Sequence, residues 1–94
     1  MTANAARGEV VARLAGRERR LCLTLGALAE LETAFGAEGW ADLAGRLRGL
    51  SAGDLTRVLA ALLRGAGEDP GDLAAVTPGE AARAVAEAFI AAGS

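Results

Sequence analysis

The strongest constraint on the fold is a change of hydrophobic period between Leu21 and Glu32. A strand-like alternation comes first, at Leu21, Leu23 and Leu25. A helix-like spacing follows, at Leu28, Leu31 and Phe35. Gly26 lies between the two patterns, so the segment predicts a strand that leads directly into a helix.

The residues before this junction predict a second strand and therefore an antiparallel hairpin over residues 8–25. Gly8 to Leu14 alternates in polarity, and the charged, Gly-containing segment 15–19 predicts the turn. Pairing Leu14 with Leu21 and Ala12 with Leu23 would place the apolar side chains of both strands on one face. Because a lone hairpin is marginally stable in water, the helices that follow are expected to cover that face.

Five helical segments are predicted within residues 26–92. They span 26–35, 39–48, 51–65, a short turn around 72–76, and 77–92. The last has the clearest start, since Thr77, Pro78 and Glu80 form a capping box with proline at the first helical position. Its residues predicted to face inward are Ala82, Val85, Phe89 and Ile90.

The predicted fold class is therefore α+β, an N-terminal antiparallel β-hairpin packed against four or five short α-helices. We expect one domain over residues 8–93, preceded by a flexible N-terminal segment, residues 1–7.

Charge and cysteine content narrow the partners and the compartment. A net charge of −2 and a pI near 5 argue against a general nucleic-acid binder. Cys22 is the only cysteine, which excludes an internal disulfide and favours a reducing compartment. With neither a signal-peptide pattern at residues 1–8 nor a long uncharged run, we expect a cytoplasmic protein of a bacterium or of its virus, with no membrane partner.

The usual catalytic side chains are missing. The chain has no His, Tyr or Lys, which removes the commonest general base and the usual Schiff-base nucleophile. Cys22 has no His to activate it, and the acids Glu68, Asp69 and Asp72 lack the dense spacing of a calcium loop. We therefore expect no enzymatic activity, no cofactor, no metal and no small-molecule substrate.

Two Arg-containing features are weaker signs of binding. Arg17, Arg19 and Arg20 are expected to form a solvated hairpin turn that discourages edge pairing. The segment around residues 50–53 loosely resembles a helix-turn-helix, whose second helix would offer only Thr56, Arg57 and Arg64 to DNA. A small DNA-binding regulator is the least favoured function.

The stretch from Leu23 to Glu32, with Phe35 and Gly36 after it, resembles a small protein family encoded in gene transfer agent clusters. Gene transfer agents are phage-like particles of alphaproteobacteria, and related proteins occur in tailed phages and prophages. The resemblance extends to a first strand like residues 8–10 and a helix like residues 55–67. It implies a role in tail morphogenesis, as a tail assembly chaperone or as a tail tube component.

The chaperone function implies a hydrophobic mechanism and a protein partner. Its client would be the tape-measure protein, a long helix that aggregates unaided, with the tail tube protein as a second partner and self-association left open. We expect an apolar groove that accepts an amphipathic helix. The apolar positions are more than one packing contact needs, and those expected to supply part of the groove are Leu59, Leu62, Leu63, Phe89 and Ile90. The alternative for these five residues is an ordinary place in the core.

Overall fold

The structure, a computed structural model that describes residues 8–93, has two strands followed by four α-helices. In chain order they are β1 (Glu9–Leu14), β2 (Arg17–Cys22), α1 (Leu25–Phe35), α2 (Gly39–Arg46), α3 (Ala52–Gly65) and α4 (Pro78–Ala92), with a 3₁₀ turn over Leu47–Gly49 after α2. The predicted α+β class is confirmed. The predicted flexible segment 1–7 lies outside the described residues.

The hairpin turn contains two residues, Ala15 and Gly16, with φ of 53° and 81°. Positive φ at both positions is characteristic of the type I′ turn, whose twist matches that of the flanking strands. The turn therefore makes Leu14 and Arg17 the first pair of the antiparallel ladder.

This short turn makes the predicted strand register wrong. Leu21 pairs with Val10, not with Leu14, and Ala12 pairs with Arg19, not with Leu23. The partner of Leu21 moves by four positions, and an even shift keeps every side chain on its face of the sheet. Leu14 and Leu21 are accordingly both buried, as the alternation predicts.

Helix α1 begins earlier than predicted because Thr24 caps it. The Thr24 hydroxyl accepts a hydrogen bond from the backbone N–H of Ala27 at 3.1 Å. Leu25, predicted to end the second strand, is instead the first residue of α1, and its side chain is 82% exposed.

Helix α3 lies at the centre of the molecule and contacts β2, α1 and α4. Five of its side chains are buried, those of Val58, Leu59, Ala61, Leu62 and Leu63. Its last residue, Gly65, lies so close to β2 that a Cβ atom there would be 2.2 Å from the carbonyl oxygen of Cys22. The apolar stripe of α3 is wide because three elements cover it.

Helix α4 has the predicted capping box. The Thr77 hydroxyl accepts from the Glu80 N–H at 3.2 Å, and the Glu80 carboxylate accepts from the Thr77 N–H at 3.1 Å. The helix buries Val85 and Phe89 as predicted, together with Ala81, Ala84 and Ala88.

The inward positions predicted for Ala82 and Ile90 are wrong, since both side chains are exposed. With 3.6 residues per turn, the buried residues of α4 form an arc centred on Ala81 and Ala88. Ile90 lies on the side opposite to this arc, and Ala82 lies beside it. The predicted short helix around residues 72–76 is also absent; the segment is a turn closed by the Val76 N–H and the Leu73 carbonyl oxygen at 3.1 Å.

Candidate functional site

A groove between α2 and α4 is a strongly apolar concave surface. It encloses about 460 Å³ and is called here the α2–α4 groove; its lining residues are Trp40, Ala44, Leu47, Ala86, Phe89, Ile90 and Gly93. Trp40 is 38% exposed and Ile90 is 70% exposed. Exposed large apolar side chains gathered on one surface are typical of a protein-binding site.

The Trp40 ring is held in place by α4. Its Nε1 donates a hydrogen bond to the Phe89 carbonyl oxygen at 3.2 Å. A Cβ atom on Gly93 would be 2.8 Å from the indole ring, so the missing side chain at Gly93 leaves room for the ring. The wall of the groove is thus fixed by a hydrogen bond and by close packing.

The start of α2, which carries Trp40, is tied to α1 and to its own first turn. The Gly39 N–H donates to the Glu32 carboxylate at 2.6 Å. The Asp42 carboxylate accepts from the Glu38 N–H at 2.9 Å and from the Arg46 guanidinium. These two hydrogen bonds, the backbone one first, hold the pKa of Asp42 below its ordinary value.

The five residues predicted to form a binding groove do not form one surface. Leu59, Leu62 and Leu63 are fully buried in the core, because α3 is covered by β2, α1 and α4. Phe89 is also buried, although it contributes to the floor of the α2–α4 groove. Ile90 alone among the five lies exposed, at the rim of that groove.

A second, smaller apolar depression of about 210 Å³ lies between the first turns of α3 and the start of α4. Its lining residues are Leu50, Ala52, Leu55, Thr56, Leu59, Leu73, Val76, Pro78 and Ala81. The larger groove has the more exposed aromatic and aliphatic side chains and is therefore the stronger candidate for a binding site.

Two arginines of the predicted basic cluster, Arg19 and Arg20, share one carboxylate, that of Glu68. Glu68 accepts from Arg19 Nε at 2.7 Å, and from the backbone N–H and Nε of Arg20 at 3.0 and 3.4 Å. Burial alone would raise the pKa of Glu68, but the hydrogen bonds from Arg19 and Arg20 outweigh it, so the pKa lies below its ordinary value. This cluster joins β2 to the loop after α3.

The remaining sequence candidates also have structural surroundings. Arg64, one of the outward residues of the loose helix-turn-helix, forms an ion pair with Glu30 of α1. Cys22 is buried at the end of β2. Among residues 8–93, no three His, Cys, Asp or Glu side chains are grouped so that they could hold a metal ion.

Sequence reasoning missed most of the groove, although the pattern contained part of it. Trp40, Leu43 and Leu47 follow a helical spacing, and α2 buries Leu43 while Trp40 and Leu47 line the groove. The Ala-rich flank of α4 signals an accessible helix face. The meeting of the two helices depends on tertiary packing, which the spacing alone does not contain.

A protein-family model described as "Phage tail tube protein, GTA-gp10" matches residues 7–93 of the chain. No curated protein and no solved structure matches the chain. None of the helices within residues 8–93 has the length and apolar character needed to span a bilayer. The family match covers both helices of the groove.

Proposed function

Because the chain belongs to the family of phage tail tube proteins of the GTA-gp10 type, we propose that it is a non-enzymatic tail assembly protein that binds the tape-measure protein as a chaperone. We infer that it acts in the cytoplasm of an alphaproteobacterial host, during morphogenesis of a phage-like tail.

The observation that supports the chaperone function is the α2–α4 groove. A groove between two helices, with an aromatic wall at Trp40 and an aliphatic rim at Ile90, suits an amphipathic helix laid along it. The client's apolar stripe would be removed from water there, and its polar side would keep the complex soluble. No reactive group is needed for this work.

The energetics favour a reversible complex. Burial of a few large apolar side chains contributes roughly 1.5–3 kcal/mol each, and the loss of rigid-body freedom offsets much of that gain. We therefore expect an affinity in the micromolar range, about −8 kcal/mol. Reversibility is required, since tube subunits have to replace the chaperone as the tail grows.

A second candidate function is a structural subunit of the tail tube or of its connector. The description of the family favours it directly. Tubes that close through sheet need extended strands, whereas the described residues contain a single two-stranded sheet. Purified particles separate the two functions, because a chaperone is absent from them and a tube subunit is present in many copies.

The direct test is co-expression with the tape-measure protein encoded by the same gene cluster. Wild-type protein is expected to keep that protein soluble and to co-purify with it. Ile90→Asp places a charge on the rim of the groove and should abolish both effects. Leu25→Asp is the matched control, because Leu25 is even more exposed but lies outside the groove.

Failure of wild-type protein to co-purify with the tape-measure protein would refute the chaperone proposal. Equal loss of binding in both Asp variants would refute the α2–α4 groove as the site. Circular dichroism of both variants checks that the fold is retained.

A further inference from the structure

The outward face of α4 has a sequence that is complementary to itself. Side chains at three- and four-residue spacing form a stripe opposite the core, made of Gly79, Ala82, Ala86, Ile90 and Gly93, all exposed. Ile90 is the only large side chain of the stripe, and the other members are alanine or glycine. When two copies of α4 run antiparallel, the large Ile90 side chain near the C-terminal end of one helix fits against the small residues Gly79 and Ala82 near the N-terminal end of the other.

The pairing of this stripe with itself follows from its spacing. In an antiparallel arrangement centred on Ala86, each Ile90 lies opposite Ala82 of the second copy, one turn from its Gly79. Small side chains at the crossing allow helix axes to approach closely. The two Ile90 side chains then fill the strip that Gly79 and Ala82 leave open.

The charges beside the stripe carry the same symmetry. Arg83 and Glu87 lie on one flank of it, and both are exposed. Within residues 8–93 neither forms an ion pair or a side-chain hydrogen bond. The antiparallel arrangement brings Arg83 of each copy to Glu87 of the other, so two ion pairs form about the two-fold axis. This complementarity favours a second copy as the partner, because α4 itself carries the residue of opposite charge for both Arg83 and Glu87.

We propose that the free protein is a symmetric dimer in which α4 packs against α4 of a second copy. The other flank of the stripe is the α2–α4 groove, so the second copy also covers Trp40 and Leu47. One consequence rests on the proposed function: the tape-measure helix and the second copy compete for the groove, and the dimer protects the apolar surface until the client is present.

Sedimentation equilibrium of the full chain, over a concentration series into the high micromolar range, tests the dimer. Wild-type protein is expected to dimerise. Arg83→Glu alone places acids opposite acids, and Glu87→Arg alone places arginines opposite arginines. Each variant should dimerise at least about tenfold more weakly than wild type, and an equimolar mixture of the two should recover wild-type affinity as a heterodimer. Arg57→Glu, on the exposed side of α3, is the control for a change in net charge.

A wild-type protein that stays monomeric throughout the series would overturn the dimer. So would a mixture of the two variants that associates no better than either variant alone. The two proposals fail separately. A monomer that still binds the tape-measure protein refutes the dimer only, and a dimer that forms as described but does not bind that protein refutes the chaperone function only.

Discussion

The close approach of α3 to β2 at Gly65 gives the sharpest prediction about the fold. A Cβ atom on Gly65 would lie 2.2 Å from the Cys22 carbonyl oxygen and 3.4 Å from the Thr24 hydroxyl. Ordinary contact begins near 3.4 Å, and the atom in the way belongs to the backbone. Gly65→Ala therefore requires the end of α3 and the end of β2 to separate.

The steric cost outweighs the helical preference for alanine. Overpacking of this kind costs about 1–3 kcal/mol, while replacement of glycine by alanine inside a helix gains up to about 1 kcal/mol. We expect Gly65→Ala to lower the free energy of unfolding by about 2 kcal/mol. Gly53→Ala, in the first turn of the same helix, should raise it by about 0.5 kcal/mol, because the nearest atom outside the helix's own backbone would be the Ser51 hydroxyl oxygen, 4.0 Å from the new Cβ.

Urea unfolding followed by circular dichroism gives the free energy of unfolding of both variants, and thermal unfolding gives their Tm. For a domain of this size, 1 kcal/mol corresponds to roughly 4–8 °C in Tm, so the two variants should differ by about 10 °C or more. If Gly65→Ala is as stable as Gly53→Ala, the reasoning about the α3–β2 contact is refuted.

Three further substitutions test other parts of the structure. Glu68→Gln should lower the free energy of unfolding by about 1–3 kcal/mol at pH 7. The pKa of Glu68 in the folded protein is depressed from 4.5, so the extra stability of the wild type is present above pH 4.5 and is lost as the pH falls through the folded-state pKa. Urea unfolding at pH 7 and at pH 3 should therefore show a smaller difference between the two proteins at pH 3. Ala15→Gly should stabilise the hairpin by up to about 1 kcal/mol, since Ala15 has a φ of 53°, and an unchanged or lower Tm would contradict the type I′ turn. Thr77→Ala should cost about 1 kcal/mol through loss of the N-cap, and equal hydrogen exchange in the first turn of α4 would count against it.

Sequence patterns predicted the local features of the fold because those features depend on neighbouring residues. The capping box of α4 needs only Thr77, Pro78 and Glu80, and α3 begins after Ser51, whose hydroxyl accepts from the Asp54 N–H at 3.1 Å. The helix that follows Gly26 was likewise predicted from the spacing of Leu28, Leu31 and Phe35.

The predicted register of the hairpin was wrong, because a non-glycine residue in the left-handed region is uncommon and nothing in the sequence marks Ala15 as one. The prediction paired Leu14 with Leu21 because both are apolar, and so it placed a longer loop where the chain has a two-residue turn. Only the even size of the error left the buried face correct.

The structure separates the five predicted binding residues for a tertiary reason. A wide apolar stripe on α3 is equally expected of a binding groove and of a central helix, and α3 is the central helix, which is why Leu59, Leu62 and Leu63 are buried. The groove that is open lies on α2 and α4, where each helix alone shows a modest apolar face. Only their packing brings Trp40 and Ile90 together.

Fluorescence of Trp40 measures occupation of the α2–α4 groove directly, because it is the only tryptophan in the chain. At a protein concentration low enough for the protein to be monomeric, titration with tryptophan-free helical segments of the tape-measure protein should shift its emission to shorter wavelength and saturate, in wild-type protein and in Leu25→Asp. Ile90→Asp should remove the shift. A segment that binds without changing the Trp40 emission, or that binds the Ile90→Asp variant equally well, would contradict the groove as the site of chaperone action.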